Sequence, residues 1–105
     1  MSNDIQIFAL EDLSLTRQIE KLRKNDYMGF VYILEWGNMV KIGSTSQPYQ
    51  RLMDLKRQAE KYGDIKLGKF ALSKEHTNYI ENEHMMHKHF KEFRKDGTEL
   101  FNISM

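Results

Sequence analysis

A Gly37-Asn38 dipeptide between two short apolar runs is the feature that most constrains how this chain can fold. The first run covers residues 30–34, and the second covers residues 40–42, just before Gly43. A dipeptide of this kind between apolar segments favours a β-hairpin with a two-residue loop. Such a loop predicts three cross-strand pairs: Trp36 with Met39, Leu34 with Lys41, and Tyr32 with Gly43.

The predicted hairpin places a phenol beside an ammonium group. Side chains alternate between the two faces of a strand, so Tyr32 and Lys41 lie on one face as diagonal neighbours. Two such groups on an otherwise apolar face indicate the start of a functional site. Residues 30–34 are apolar or aromatic at every position, which predicts that the first strand is covered on both faces.

The segment before the hairpin, residues 1–28, is predicted to be a helical extension outside the domain formed by residues 29–105. Ser14 is a plausible N-cap for this helix. Leu15, Ile19 and Leu22 follow it at helical spacing and define one apolar face.

After the hairpin, the pattern predicts a helix that begins near Pro48, is capped by a Ser or Thr, and ends at Gly63. A strand over 65–72, a helix over 75–94 and a short strand over 100–103 follow. The first of these helices has an apolar stripe formed by Tyr49, Leu52, Leu55, Ala59 and Tyr62. The fold class expected from this order is α+β, with helices around a small, mainly antiparallel sheet.

Composition excludes several classes of protein. The chain has 105 residues and no cysteine, so it forms one domain without disulfides, thiolate nucleophiles or cysteine-rich zinc sites. No apolar run is long enough to span a membrane, and the polar N-terminus lacks the apolar core of a signal peptide, so we expect a cytoplasmic protein without membrane contact.

Charge gives a weaker indication. The formal net charge is only +1, although basic residues cluster in the middle of the chain and again over residues 88–95. Such clusters can contact a phosphate backbone, but an ordinary solvated surface explains them equally well.

The helix predicted over 75–94 carries a carboxylate at an unusual position. At 100° per residue, its apolar stripe consists of Tyr79, Ile80, Met86, Phe90 and Phe93. Glu83 falls in the centre of this stripe and His87 lies near its edge. A buried carboxylate is costly unless it is paired, so Glu83 either binds a cation or forms a salt bridge, with Lys41 and Arg51 as candidates. For His87 a packing role is the simpler interpretation.

Taken together, these residues resemble the motifs of the GIY-YIG nuclease superfamily, in its compact phage and bacterial branch. The resemblance covers about residues 29–103. It rests on Phe30-Val31-Tyr32, Lys41-Ile42-Gly43, Arg51, Glu83 within Glu81-Asn82-Glu83, and Asn102 within Phe101-Asn102-Ile103.

The resemblance implies hydrolysis of a phosphodiester with a single Mg²⁺ or Mn²⁺ ion held by Glu83. It further implies that Tyr32 positions or deprotonates the attacking water with help from Lys41, that Arg51 binds phosphate oxygens, and that Asn102 orients the substrate. Two positions depart from the family pattern. Lys41 replaces a tyrosine, and Leu55 stands where a histidine is expected, a role that His87 is a candidate to fill.

Three functions from different classes therefore stay open. The first is a metal-dependent endonuclease, with DNA favoured over RNA as its partner. The second is a catalytically weak nucleic-acid-binding module on the same scaffold. The third is an interaction or assembly factor that dimerises, or binds a protein partner, through the helix predicted within residues 1–28.

Overall fold

The hairpin predicted around Gly37 forms the middle of the sheet. In the computed structural model, β2 (Phe30–Trp36) and β3 (Met39–Thr45) are antiparallel. Their register pairs Trp36 with Met39, Leu34 with Lys41 and Tyr32 with Gly43, which confirms the sequence prediction. Gly37 has a φ of 60°, a conformation that glycine adopts without steric cost and that the tight turn requires.

Three further strands complete one sheet. The structure describes residues 5–8, 17, 28–63, 65–95 and 98–103. Within these ranges β1 (Ile5–Phe8), β4 (Leu67–Ser73) and β5 (Leu100–Phe101) join the hairpin in the order β1-β4-β2-β3-β5. Every pairing is antiparallel, so the expected α+β fold with a mainly antiparallel sheet is confirmed.

One face of the sheet packs on α1 (Pro48–Lys61). The stripe on this helix contributes Leu52, Leu55 and Ala59 to a core that also contains Tyr32 and Phe70. Two expectations for α1 are wrong. Tyr62 is 69% exposed, because the helix ends at Lys61 and the chain turns away at Gly63. The N-cap residue is Gln47 rather than a Ser or Thr, although its backbone N–H does bond to Thr45 Oγ1 at 2.9 Å.

The other face packs on α2 (Tyr79–His89), which a short 3₁₀ helix (Lys91–Phe93) follows. Met86 and Phe90 pack against a second core cluster, formed by Val40, Ile42 and Phe101. Because the sheet has helices on both faces, residues 30–34 of β2 are buried or nearly so on both sides, as predicted.

The predicted helix over 75–94 is too long at both ends. At the start, His76 forms a β-bridge with Gly29, and its backbone N–H donates to the Gly29 carbonyl at 2.8 Å, so the chain is extended there. At the end, the α-helix gives way to the 3₁₀ turn after His89. The predicted stripe is correspondingly incomplete, since Ile80 is 51% exposed and Phe93 is 46% exposed.

The N-terminal prediction is wrong for residues 5–8. They form β1, which pairs with β4, so this part of the predicted helical extension belongs to the sheet. The predicted apolar face of Leu15, Ile19 and Leu22, and the partner contact assigned to it, lie outside the described residues. None of the helices in the described ranges has the length and apolar content needed to cross a membrane.

The α1 face of the core gives a test of the fold. Leu55 is fully buried between α1 and the sheet, whereas its neighbour Lys56 is exposed. We expect Leu55→Ala to lower the free energy of unfolding by about 2–5 kcal/mol, because the lost contacts leave a cavity. Lys56→Ala should change it by less than about 0.5 kcal/mol. Urea denaturation followed by circular dichroism measures both, and equal effects of the two variants would contradict this packing.

Candidate active site

Tyr32 lies at the centre of the candidate site, directly over Gly43. The two residues are partners across the hairpin, and the phenol of Tyr32 occupies the space that a side chain at position 43 would fill. A Cβ atom there would overlap the phenol and would lie 2.9 Å from Oε2 of Glu99. The glycine therefore lets the phenol and the Glu99 carboxylate meet above β3.

Arg51 and Glu99 hold the phenolic oxygen from two sides. Arg51, in the first turn of α1, donates from Nε to the oxygen of Tyr32 at 3.1 Å. The hydroxyl of Tyr32 in turn donates to Oε2 of Glu99 at 3.4 Å. The guanidinium of Arg51 also approaches that carboxylate oxygen, at 3.7 Å. Three charged or polar groups thus form one connected network around a buried hydroxyl.

This network makes Tyr32 a weak acid. Burial, followed by the nearby charge of Glu99, raises the pKa of Tyr32 to about 12, and the hydrogen bond from Arg51 opposes the rise only in part. The phenol therefore keeps its proton at neutral pH. For Arg51, burial acts to lower the pKa, but its hydrogen bond to Tyr32 and the charges of Glu99 and Asp54 outweigh burial and raise it. Arg51 therefore stays positively charged.

Lys41 lies on the same face of the hairpin, as the register predicts. Its Nζ is 4.7 Å from the centre of the Trp36 ring, a cation–π contact. Burial lowers the pKa of Lys41, and the charge of Glu99 partly compensates. The structure thus places an ammonium group of reduced pKa near the Tyr32 network.

Glu83 approaches this region from α2, on the opposite face of the sheet. Its side chain is only 13% exposed, which agrees with the prediction that the carboxylate is largely buried. Its partners differ from the candidates named from sequence. The hydroxyl of Ser44 donates to Oε1 of Glu83, and His87 Nε2 lies 3.5 Å from Oε2. Arg51 pairs with Glu99 instead.

His87 is more deeply buried than its predicted place at the edge of the stripe, and it is the buried residue of α2. Its ring packs on Phe101, with 5.1 Å between the ring centres. Its Nε2 lies 2.8 Å from the carbonyl oxygen of Ile42. A carbonyl can only accept, so Nε2 carries a hydrogen and donates it. Because this hydrogen goes to Ile42, Nε2 is not a free proton acceptor, and its 3.5 Å separation from Oε2 of Glu83 is a close approach rather than a second hydrogen bond.

An open groove of about 430 Å³ runs along the carboxyl-terminal part of α2. Glu83, His87 and Glu99 line it together with His84, Lys88, Lys91 and Arg94. Among the described residues, neither Lys88 nor Lys91 forms an ion pair. The groove therefore combines two carboxylates with unpaired cationic side chains.

Asn102 is not part of this constellation in the structure. It is exposed and lines a different surface cavity, with Asn38, Met39 and residues 92–95. Leu55, at the position where the family pattern has a histidine, is completely buried in the core. Neither position brings a polar group to the phenol of Tyr32.

Glu99 is the site residue that sequence reasoning missed. Its backbone carbonyl accepts from the Ile42 N–H at 3.0 Å, which fixes it beside β3 just before β5 begins. The sequence around it has no helical or strand periodicity that would single out a carboxylate. Only the pairing of β5 with β3, a contact between distant parts of the chain, brings Glu99 to Gly43.

The carboxylate and imidazole side chains near the groove suit a weakly held divalent ion rather than a metal site in which protein side chains supply every ligand. No cluster of three or more His, Asp or Glu side chains that could hold a metal occurs within the described ranges. Mg²⁺ is commonly held by one or two carboxylates, completed by water and by phosphate oxygens of the substrate. Glu83, whose carboxylate faces the groove, fits a site of that kind.

Comparison with known proteins identifies the family. Searches of curated proteins and of solved structures each gave no match. A family model, described as the T5orf172 domain, matches residues 29–105. This domain is phage-associated and nuclease-related, which confirms the broad resemblance to nucleases. Because the whole hairpin, both helices and the candidate site lie inside the matched region, the chain belongs to the T5orf172 domain family.

Proposed function

We propose that this chain is a metal-dependent endonuclease that hydrolyses phosphodiester bonds in DNA. The observation that carries the proposal is the network of Arg51, Tyr32 and Glu99, in which Glu99 also lines the groove that contains Glu83. A nuclease-related family agrees with it. Each side chain in this arrangement has a role that follows from its contacts.

Glu83 is the residue that would hold the divalent ion, Mg²⁺ or Mn²⁺. The hydrogen bond from Ser44 fixes its carboxylate, so its orientation is set before any ion arrives. When bound, the ion supplies charge neutralisation at a phosphate oxygen and at the departing oxygen. His87, held to the Ile42 carbonyl, keeps α2 at a fixed distance from β3.

Tyr32 and Arg51 would act on the phosphate and on the attacking water. With a pKa raised to about 12, Tyr32 positions water through its oxygen and does not enter the reaction as a phenolate. Arg51 uses one of its five donors on Tyr32 and has others left for phosphate oxygens. Lys41, with its lowered pKa, would provide a second cation close to the water.

The cations of the groove would bind the phosphates next to the cleaved bond. Lys88, Lys91 and Arg94 line the groove that also holds Glu83, so a nucleic-acid strand bound along it would pass the candidate site. Asn102, on a separate exposed surface, would contact substrate away from the reacting phosphate.

A second function is favoured by a specific observation. With its pKa raised to about 12, Tyr32 is protonated at neutral pH and supplies almost no phenolate to act as a base, and Leu55, completely buried, brings no proton-transfer group to it. These features suit a nucleic-acid-binding module that keeps the scaffold without efficient cleavage. The two functions differ in one measurable property, which is metal-dependent hydrolysis.

Removal of the carboxylate at position 83 tests the endonuclease. Glu83→Gln keeps the size of the side chain but removes its charge, so we expect nicking of supercoiled DNA in Mg²⁺ or Mn²⁺ to fall by on the order of 10³-fold, the equivalent of several kcal/mol of lost transition-state stabilisation. Glu81→Gln, on the exposed side of the same helix, is the matched control and should cleave normally.

The substrate panel for that assay contains supercoiled, linear and branched DNA, and RNA. If the wild type cleaves none of them with either metal, yet binds DNA in a salt-sensitive way, the binding module replaces the endonuclease as the function. Equal activity of Glu83→Gln and the wild type would contradict the role of Glu83.

The groove is tested separately through salt dependence. The double variant Lys88→Ala, Lys91→Ala removes two unpaired cations, so the slope of log Kd against log salt concentration should fall by about 2. Lys66→Ala, Lys69→Ala changes the net charge equally at exposed positions on or near β4 and should keep the wild-type slope. Fluorescence anisotropy with a labelled DNA duplex measures both, and identical slopes for the two double variants would contradict binding along the groove.

A further inference from the structure

Glu99 is the acceptor for the hydroxyl of Tyr32, a contact that the roles of Glu83, Arg51 and Lys41 do not explain. Its Oε2 lies 3.4 Å from the phenolic oxygen and 3.7 Å from the guanidinium of Arg51. The backbone of Glu99 is fixed by the hydrogen bond from Ile42, so the carboxylate is placed by the sheet and not only by its side-chain partners.

The absence of a side chain at Gly43 leaves the space in which Tyr32 and Glu99 meet. Both groups occupy the space above Gly43, where a Cβ atom would lie 2.9 Å from Oε2 of Glu99 and would overlap the phenol. Arg51 donates a hydrogen bond to the same phenolic oxygen. The hydroxyl of Tyr32 therefore accepts one hydrogen bond from Arg51 and donates one to Glu99. A proton that reaches Tyr32 thus has a defined path away from it.

We propose that Glu99 is the positioning residue of the site, which orients the phenol of Tyr32 and receives its proton when Tyr32 takes one from the attacking water. The proposal rests on the proposed endonuclease function. It assigns the last step of proton removal to a group that the sequence motifs do not include.

The transfer balances without any further reactant. One O–H bond of water breaks, its proton bonds to the oxygen of Tyr32, and the proton already on Tyr32 moves to Oε2 of Glu99. The electron pair left on the water oxygen forms the new bond to phosphorus, and the bond to the leaving oxygen breaks with its pair. Glu99 then returns its proton to solvent through the groove that it lines.

This role differs from that of a simple counter-ion for Arg51. A counter-ion needs only a negative charge near the guanidinium, and its loss would weaken substrate binding or stability at every pH. A proton acceptor affects the rate in a pH-dependent way, since hydroxide from solvent can replace it when the pH rises. Lys41 also faces Glu99, whose charge raises the Lys41 pKa, and Glu83 is near Tyr32. Loss of Glu99 would let Lys41 lose its charge at lower pH, so a defect caused through Lys41 would grow as the pH rises, whereas a defect in proton acceptance would shrink. The two roles therefore separate in a pH profile.

The first experiment measures DNA cleavage by the full chain with Mg²⁺ or Mn²⁺ from pH 6 to 10. For Glu99→Gln we expect kcat to fall on the order of 10²-fold at neutral pH, with KM changed by less than about 3-fold. The deficit should shrink as the pH rises. Glu99→Asp, which keeps the carboxylate, should recover part of the rate, and Glu60→Gln, exposed on α1, should match the wild type.

A second measurement does not depend on cleavage. All tyrosines are replaced by 3-fluorotyrosine, which lowers the phenol pKa into an accessible range, and ¹⁹F NMR follows each ring. The Glu99 charge raises the pKa of Tyr32, so Glu99→Gln should move the Tyr32 titration to lower pH. The ¹⁹F signal of the exposed Tyr62 ring serves as the internal reference, and Tyr32→Phe assigns the Tyr32 signal.

The outcomes distinguish the two proposals. A deficit that is the same at every pH, or a Tyr32 titration unmoved by Glu99→Gln, would overturn the role of Glu99 while the endonuclease stands. A wild type that cleaves nothing overturns the endonuclease, and with it the proton transfer, whereas the ¹⁹F shift still decides whether Glu99 and Tyr32 are coupled. If Glu99→Gln fails to fold, Glu99→Asp decides by the same two measurements.

Discussion

The register between β2 and β3 is the constraint on which the rest of the structure depends. A slip of one residue would transfer every side chain of a strand to the opposite face. The turn at Gly37-Asn38 prevents this by pairing Trp36 with Met39. In this register the side chains of β2 that face α1 fill one core, while Val40 and Ile42 of β3 fill the other. The same register brings Tyr32 over the one residue of β3 that has no side chain to exclude it.

The candidate site follows from that alternation. Gly43 and Ser44 are consecutive residues, so they face opposite sides of the sheet. On one side the phenol of Tyr32 covers Gly43 and meets Arg51 from α1, and on the other the hydroxyl of Ser44 reaches Glu83 on α2. In the described part of the chain β5 pairs with only Val40 and Lys41 of β3. Because this pairing is short, β5 does not cover Gly43 and Ser44. The carboxylates of Glu83 and Glu99, which come from opposite faces of the sheet, can therefore line one groove.

Local patterns predicted the parts of this arrangement that depend on neighbouring residues. The hairpin, its register and the burial of Glu83 follow from turn chemistry and periodicity, and the structure confirms them. Patterns failed where distant segments decide. The pairing of Gly29 with His76 shortens the second helix, and the pairing of β1 with β4 places residues 5–8 in the sheet. Glu99 was missed for the same reason, because only the β3–β5 contact brings it to Tyr32.

The chemistry of the site is set by how many groups share the phenolic oxygen. A buried tyrosine with one donor and one acceptor is satisfied, so it has little tendency to ionise on its own. The GIY-YIG motif that this hairpin resembles has a tyrosine in place of Lys41, which would add a neutral hydroxyl. Lysine instead adds a positive charge, and burial lowers its pKa. In the proposed hydrolysis, the site needs an acceptor for the proton of Tyr32 at the moment of attack, and Glu99 is the group in contact with that proton.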